Sequence, residues 1–69
     1  MKEYILNLKF KNWQNELWFI NDNSRETLDK WENAIKIINV FAKSSNSYIE
    51  FQKKVIAHLE ALGFKRVEK

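Results

Sequence analysis

Four residue types are missing or scarce in this sequence, and their scarcity excludes several classes of site. There is no cysteine, which excludes disulfides and thiolate metal or redox sites. There is no proline and only one glycine, so neither a glycine-rich phosphate loop nor a Gly-x-Ser-x-Gly nucleophile turn is available. The single histidine, His58, excludes a multi-histidine zinc site.

Long apolar runs are missing as well. No stretch approaches the roughly 18 apolar residues of a membrane span. The opening residues, Met-Lys-Glu-Tyr, do not lead into the apolar segment of a signal peptide. We therefore expect a cytoplasmic protein that has no membrane segment.

The chain is short but rich in bulky apolar side chains. Its 69 residues are 45% hydrophobic, with five Phe, three Trp and two Tyr, which is enough for one core without cross-links. Residues 1–69 contain no linker or repeat and are predicted to form a single domain. The net charge is +3, and residues 36–69 carry seven Lys or Arg against three Asp or Glu.

Alternation predicts a β-hairpin at the start of the chain. Residues 2–11 are apolar at every second position, as in a half-buried strand, namely at Tyr4, Leu6, Leu8 and Phe10. A turn at 12–15 and a second strand at 16–21 follow. This turn would place Phe10 opposite Leu17 and Leu8 opposite Phe19.

Two capping signals predict two helices. Asn23 or Ser24 is the expected N-cap of the first helix, with Glu26 placed to reach back to Asn23. This helix should run to about Lys43. Its expected core stripe, spaced three and four residues apart, is Leu28, Trp31, Ile35, Ile38 and Ala42.

The second helix should begin at Ser47, whose capping-box partner is Glu50, and end at Gly63 in a left-handed conformation, with Phe64 packing back on it. Its expected core face is Tyr48, Phe51, Val55, Leu59 and Leu62, widened by Ile49 and Ile56. The predicted fold is α+β, with the order β-β-α-α and both helices on one face of the hairpin. Residues 64–67 also suit a short third strand at its edge.

Few side chains are candidates for catalysis or metal binding. His58 falls at the border of the second apolar stripe, where an amphipathic ring is a common boundary residue. Acidic residues cluster near the start of the first helix, at Asp22, Glu26, Asp29 and Glu32. Acidic groups in a first turn stabilise the helix dipole, and Glu26 and Glu32 are also spaced to pair with Lys30 and Lys36. We expect no enzymatic activity, no cofactor and no metal.

The predicted register leaves large apolar side chains outside the core. Trp18 and Ile20 would lie with Ile5 on the sheet face that points away from the helices, and Trp13 would be exposed near them at the turn. Exposed tryptophans and contiguous apolar patches are typical of protein contact sites. The first hypothesis is therefore a regulator or inhibitor that covers a surface of a larger protein, such as a phage-encoded, anti-CRISPR-like protein.

Other arrangements would use these residues differently. A helix on each face, a register slipped by one residue, or a homodimer formed by strand pairing at an exposed edge would each cover the patch. The first helix is also apolar over a wide arc, at Ile37, Val40 and Phe41, which needs burial by the second helix, a second copy or a partner.

The alternative hypothesis is a nucleic-acid-binding or transcription-regulating module. Its phosphate contacts would come from the basic second half of the chain, at Lys53, Lys54, Lys65 and Arg66.

Overall fold

Three strands and two helices make up the computed structural model, which describes residues 2–22 and 24–68. In chain order the elements are β1 (Lys2–Phe10), β2 (Trp13–Asn21), α1 (Arg25–Ser44), α2 (Tyr48–Ala61) and β3 (Lys65–Val67). This order confirms the predicted α+β fold, including the short third strand. Neither helix is long and apolar enough to cross a membrane within the described residues.

The sheet has the order β1-β2-β3, and the central strand β2 runs antiparallel to both neighbours. A turn of two residues, Lys11 and Asn12, joins β1 to β2. Lys11 has a φ of 54°, in the region that the first residue of a type II′ hairpin turn occupies. The hairpin therefore closes earlier in the chain than the turn predicted at 12–15.

The predicted register of the hairpin is wrong by four residues. Phe10 pairs with Trp13 instead of Leu17. The remaining pairs are shifted by the same amount, so the predicted pairing of Leu8 with Phe19 does not form either. The polar residues after Trp13 resemble a turn in composition, but they extend β2 instead.

The side chains nevertheless keep their predicted faces. Strand side chains alternate with a period of two, so a shift by an even number of residues preserves the face to which each one belongs. Leu17 and Phe19 are buried, while Trp18 and Ile20 lie on the opposite face. The prediction of which hairpin residues form the core is therefore confirmed despite the wrong register.

Both helices pack on the face of the sheet that carries the buried β1 side chains. At one end of the core, the Trp31 ring of α1 lies 5.1 Å from Tyr4 and 5.2 Å from Phe64 between centroids. At the other end, Phe10 of β1 stacks on Phe51 of α2 at 5.5 Å. Aromatic contacts thus tie each helix to the long edge strand.

The helix α1 begins after Ser24, whose Oγ accepts a hydrogen bond from the Thr27 main-chain N–H at 3.1 Å. Ser24 is therefore the N-cap, which was one of the two predicted alternatives. The other alternative, Asn23 with its capping box to Glu26, falls on a residue outside the described part of the chain.

The predicted core stripe of α1 is partly wrong. Leu28 and Ile35 are exposed, and the residues one position earlier, Thr27 and Ala34, are buried instead. One position is a rotation of about 100° around a helix. The small Ala34 side chain has no exposed surface, so the buried flank of α1 is formed by Thr27, Trp31, Ala34 and Ile38.

The start of α2 confirms the predicted capping box with one difference. Ser47 Oγ accepts from the Glu50 main-chain N–H at 3.2 Å, while the Glu50 carboxylate accepts from the N–H of Asn46 at 2.6 Å, one residue before the N-cap. Ile49, which was predicted to widen the core face, is 67% exposed. It lies about 200° around the helix from the buried Phe51.

The end of α2 forms the predicted left-handed cap. Gly63 has a φ of 97°. Its N–H donates to the Glu60 carbonyl, and the N–H of Phe64 donates to the Leu59 carbonyl, both at 3.0 Å, which is the hydrogen-bond pattern of a Schellman motif. Phe64 is buried directly afterwards, and the chain continues as β3.

Replacement of Gly63 should destabilise the fold through its backbone conformation. An added Cβ would meet only Asn21 Nδ2, at the ordinary contact distance of 3.6 Å. We therefore expect Gly63→Ala to lower the free energy of unfolding by about 1–2 kcal/mol, measured by urea denaturation. Gly63→Asn should lose less stability than Gly63→Ala, because asparagine tolerates the left-handed conformation better than alanine does. Equal losses in the two variants would argue against a conformational cause.

Asp22 connects the end of β2 to the start of α1. Its carboxylate accepts a hydrogen bond from the Thr27 hydroxyl and another from the Ser24 main-chain N–H. These bonds, the one from Thr27 above all, lower the pKa of Asp22 below its usual 3.8, because they favour the charged form. Its main-chain carbonyl accepts from the Tyr4 hydroxyl at 3.1 Å.

The stability of the protein should depend on pH through this carboxylate. Because the folded-state pKa is the lower one, its contribution is present above pH 3.8 and is lost as the pH falls through the folded-state value. In Asp22→Asn, the free energy of unfolding should fall less steeply over this acid range than in the wild type.

Urea denaturation at a series of pH values would measure this difference. Thr27→Ser keeps the hydroxyl donor and should keep the acid dependence, whereas Thr27→Val removes the donor and should weaken it. If the free energy of unfolding of Asp22→Asn falls at acid pH as steeply as that of the wild type, the acid dependence does not come from the Asp22 carboxylate.

Candidate functional site

One face of the sheet carries no helix within residues 2–22 and 24–68, since α1 and α2 both pack on the other side. Alternation and pairing together define the residues whose side chains belong to this outer face. They are Glu3, Ile5, Asn7 and Lys9 of β1, Gln14, Glu16, Trp18 and Ile20 of β2, and Lys65 and Val67 of β3.

An apolar row crosses all three strands at the centre of the outer face. Trp18 of β2 pairs with Ile5 on one side and with Val67 on the other. Ile20 lies two positions further along β2, on the same face. Ile5 is 47% exposed, and the other three are half-buried. These four residues, Ile5, Trp18, Ile20 and Val67, are called the outer patch below.

Val67 is the member of the outer patch that sequence analysis missed. The sequence pattern allowed a third strand at 64–67 but did not say which hairpin strand it joins. Pairing of β3 with β2 places Val67 next to Trp18. The sequence does show the apolar Val67 two positions after Lys65, as expected for residues on one face of a strand. This spacing indicates a place in the outer patch only once β3 is known to pair with β2.

Charged residues of both signs surround the outer patch. Ile20 lies between Glu3 of β1 and Lys65 of β3. Beyond the patch towards the turn, Glu16 of β2 pairs with Asn7, and Lys9 of β1 lies one outer-face position further along. Two acidic and two basic side chains leave the face without a dominant charge. An apolar centre with a mixed polar rim is the general composition of protein–protein interfaces.

Trp13 lies on the other side of the sheet from the outer patch. It pairs with Phe10, whose side chain is in the core, and its ring stacks on Tyr48 of α2 with 5.7 Å between centroids and 17° between planes. The Trp13 side chain is 62% exposed and borders a shallow groove beside Ile49. The expectation that Trp13 lies near Trp18 is therefore wrong, because the shorter turn makes Trp13 part of β2.

The four basic residues of the alternative hypothesis are divided between the two sides of the sheet. Lys65 lies on the outer face, whereas Arg66 alternates to the helix side. Lys53 and Lys54 belong to α2, and the Lys54 ammonium pairs with the Glu50 carboxylate at 3.8 Å. Phosphate-binding surfaces collect positive charge on one face, whereas here three of the four residues lie on the helix side of the sheet and Lys65 lies on the other.

The histidine and the acidic residues considered in the sequence make contacts that support the fold. The His58 ring meets Phe41 edge-on at 5.7 Å between centroids, at the border of the core as predicted. Glu26 pairs with Lys30 at 3.4 Å, and Asp22 belongs to the cap of α1. Within the described residues, no three acidic or histidine side chains are grouped so that they could hold a metal ion.

The wide apolar arc of α1 is partly covered by α2. Phe41 is half-buried against His58, so α2 covers this part of the apolar surface of α1. Ile37 and Val40 remain exposed. They lie in the helical layer and are therefore separated from the outer patch by the sheet.

A comparison of the chain with protein-family models, with curated proteins and with solved structures found no match. The features that bear on function are therefore the composition of the outer patch, the mixed charge around it, and the absence of a covering helix on that side in the described part of the chain.

Proposed function

We propose that the protein is a small binding protein that regulates or inhibits a larger protein by covering part of its surface with the outer face. The observation that supports this function is the position of Trp18 at the centre of a row that runs from Ile5 to Val67. Tryptophan is among the residues most often found to dominate binding energy at interfaces.

The partner that fits this face is a folded protein with an apolar centre on its own surface. The charges around the outer patch are balanced, so shape and apolar burial would contribute more to affinity than long-range attraction. A polyanion would meet the Lys65 ammonium on one side of Ile20 and the Glu3 carboxylate on the other, and the carboxylate is unfavourable for phosphates. We include a cytoplasmic location in the proposal, since a chain without cysteine needs no oxidising compartment.

The size of the face limits how it binds. The strands β1 and β2 contribute nine residues each and β3 contributes three, so at about 3.4 Å per residue and about 4.8 Å per strand the face covers roughly 350 Å². A standard interface buries about 800 Å² on each partner. Binding through one sheet face alone would therefore be weak, unless the interface extends beyond it.

The experiment compares two tryptophan variants that lie on opposite faces. Affinity capture from the native cell lysate identifies the bound protein, and calorimetry then measures its affinity. Trp18→Ala should weaken binding by about thirtyfold, the equivalent of about 2 kcal/mol for a hot-spot residue. Trp13→Ala removes an exposed tryptophan from the helix side and should leave the affinity close to that of the wild type.

Two controls separate protein binding from nucleic-acid binding. Nuclease treatment of the lysate and added salt should leave the captured protein in place, because phosphate contacts weaken steeply with ionic strength and apolar contacts do not. Circular dichroism confirms that Trp18→Ala is folded. If Trp18→Ala retains binding while the double change Lys53→Glu and Lys54→Glu abolishes it, the proposal fails and a nucleic-acid function gains support.

A further inference from the structure

The strand β1 forms a long open edge of the sheet. It pairs with β2 alone among the strands described. Its nine residues are paired with β2 continuously, from Lys2 with Asn21 to Phe10 with Trp13, without a bulge. Proline, a common means of blocking edge strands, does not occur in the chain. An edge with these properties is a template for the pairing of another strand.

The two-residue turn determines which main-chain groups point outwards from this edge. The residues that flank such a turn exchange both hydrogen bonds with each other, and here they are Phe10 and Trp13. Even-numbered residues of β1 therefore direct their N–H and C=O groups towards β2. The groups of Ile5, Asn7 and Lys9 point away from β2, towards the open edge.

We propose that β1 pairs with β1 of a second copy of this chain, in antiparallel orientation about a twofold axis at Leu6. The two three-stranded sheets then form one sheet of six strands. Ile5 lies opposite Asn7 of the second copy, and their outward main-chain groups form the hydrogen bonds nearest the axis. Lys9 lies opposite Glu3 of the second copy.

The charges on β1 favour this register over its neighbours. A twofold axis at Leu6, the middle residue of Lys2–Phe10, is the one that pairs the whole strand. It also places Glu3 opposite Lys9 twice, once on each side of the axis, and opposite charges at directly facing positions stabilise a strand pair. The Glu3 carboxylate has about four lone-pair positions. An interaction of Glu3 within its own subunit therefore leaves positions available for Lys9 of the second copy.

Neighbouring registers lose both advantages. An axis at Asn7 would place Lys9 opposite Ile5 of the second copy and shorten the paired segment. An axis at Ile5 would place Glu3 opposite Asn7 of the second copy, with the same loss of length. Neither of these registers brings opposite charges together in the paired segment.

Pairing at this edge would also join the two outer patches. Ile5 of one copy becomes a diagonal neighbour of Ile5 of the other, and the rows that contain Trp18 lie side by side across the axis. The combined sheet face doubles from roughly 350 Å² to roughly 700 Å², close to the ~800 Å² that a standard interface buries on one side. The pairing rests on the edge and its charges and does not depend on the proposed function.

A charge exchange across the axis is the sharpest test. Sedimentation equilibrium over a range of concentrations measures the dimer dissociation constant of the full chain. Lys9→Glu and Glu3→Lys, each alone, replace two attractive pairs by two repulsive ones and should each raise this constant about tenfold. The double variant Glu3→Lys with Lys9→Glu restores opposite charges and should return the constant to near the wild-type value.

A second variant blocks the main-chain pairing itself. Asn7→Pro removes an N–H that points away from β2, so the hairpin keeps its own hydrogen bonds, and proline is tolerated at such an edge position. This variant should be monomeric, with an unchanged circular dichroism spectrum. Trp18→Ala, which alters β2 and leaves the edge intact, should remain dimeric.

Several results would overturn the pairing. They are a wild-type chain that is monomeric at every concentration, a dimer that survives Asn7→Pro, and a double charge variant that dissociates as much as the single ones. None of these would affect the proposed function, which depends on Trp18 in each copy. Loss of the partner protein from a Trp18→Ala dimer would leave the strand pairing supported.

Discussion

The register of the β1–β2 hairpin depends on a turn of only two residues, Lys11 and Asn12, and much of the molecule follows from it. The short turn makes Trp13 part of β2 and brings Ile5 beside Trp18. It also determines that alternate main-chain groups of β1 point to the open edge. The composition of the outer patch and the availability of β1 for pairing therefore have the same structural origin.

The rest of the core holds this hairpin in place from one side. Trp31 of α1 contacts the start of β1 and Phe64, and Phe51 of α2 contacts its end. The cap at Gly63 then directs the chain back to the sheet. As a result, β3 pairs with β2 rather than with β1, so Val67 joins the outer patch and the edge of β1 stays open.

Local features of the sequence predicted the order of the elements, the caps at Ser24, Ser47 and Gly63, and the face to which most hairpin side chains belong. Such features depend on hydrogen bonds and periodicities within a few neighbouring residues. They were enough to assign Ile5, Trp18 and Ile20 to one face, since the error in register was an even number of residues.

The sequence by itself thus determined that this chain forms two capped helices and a hairpin whose outer face carries Ile5, Trp18 and Ile20. Only the tertiary structure decided the register, the flank of α1 that is buried, the separation of Trp13 from Trp18, and the addition of Val67. The physical reason is that registers two or four residues apart bury the same alternating set of side chains. The choice among hairpin registers depends on the geometry of the turn, and the choice of the buried flank of α1 depends on packing between residues that are distant in the chain.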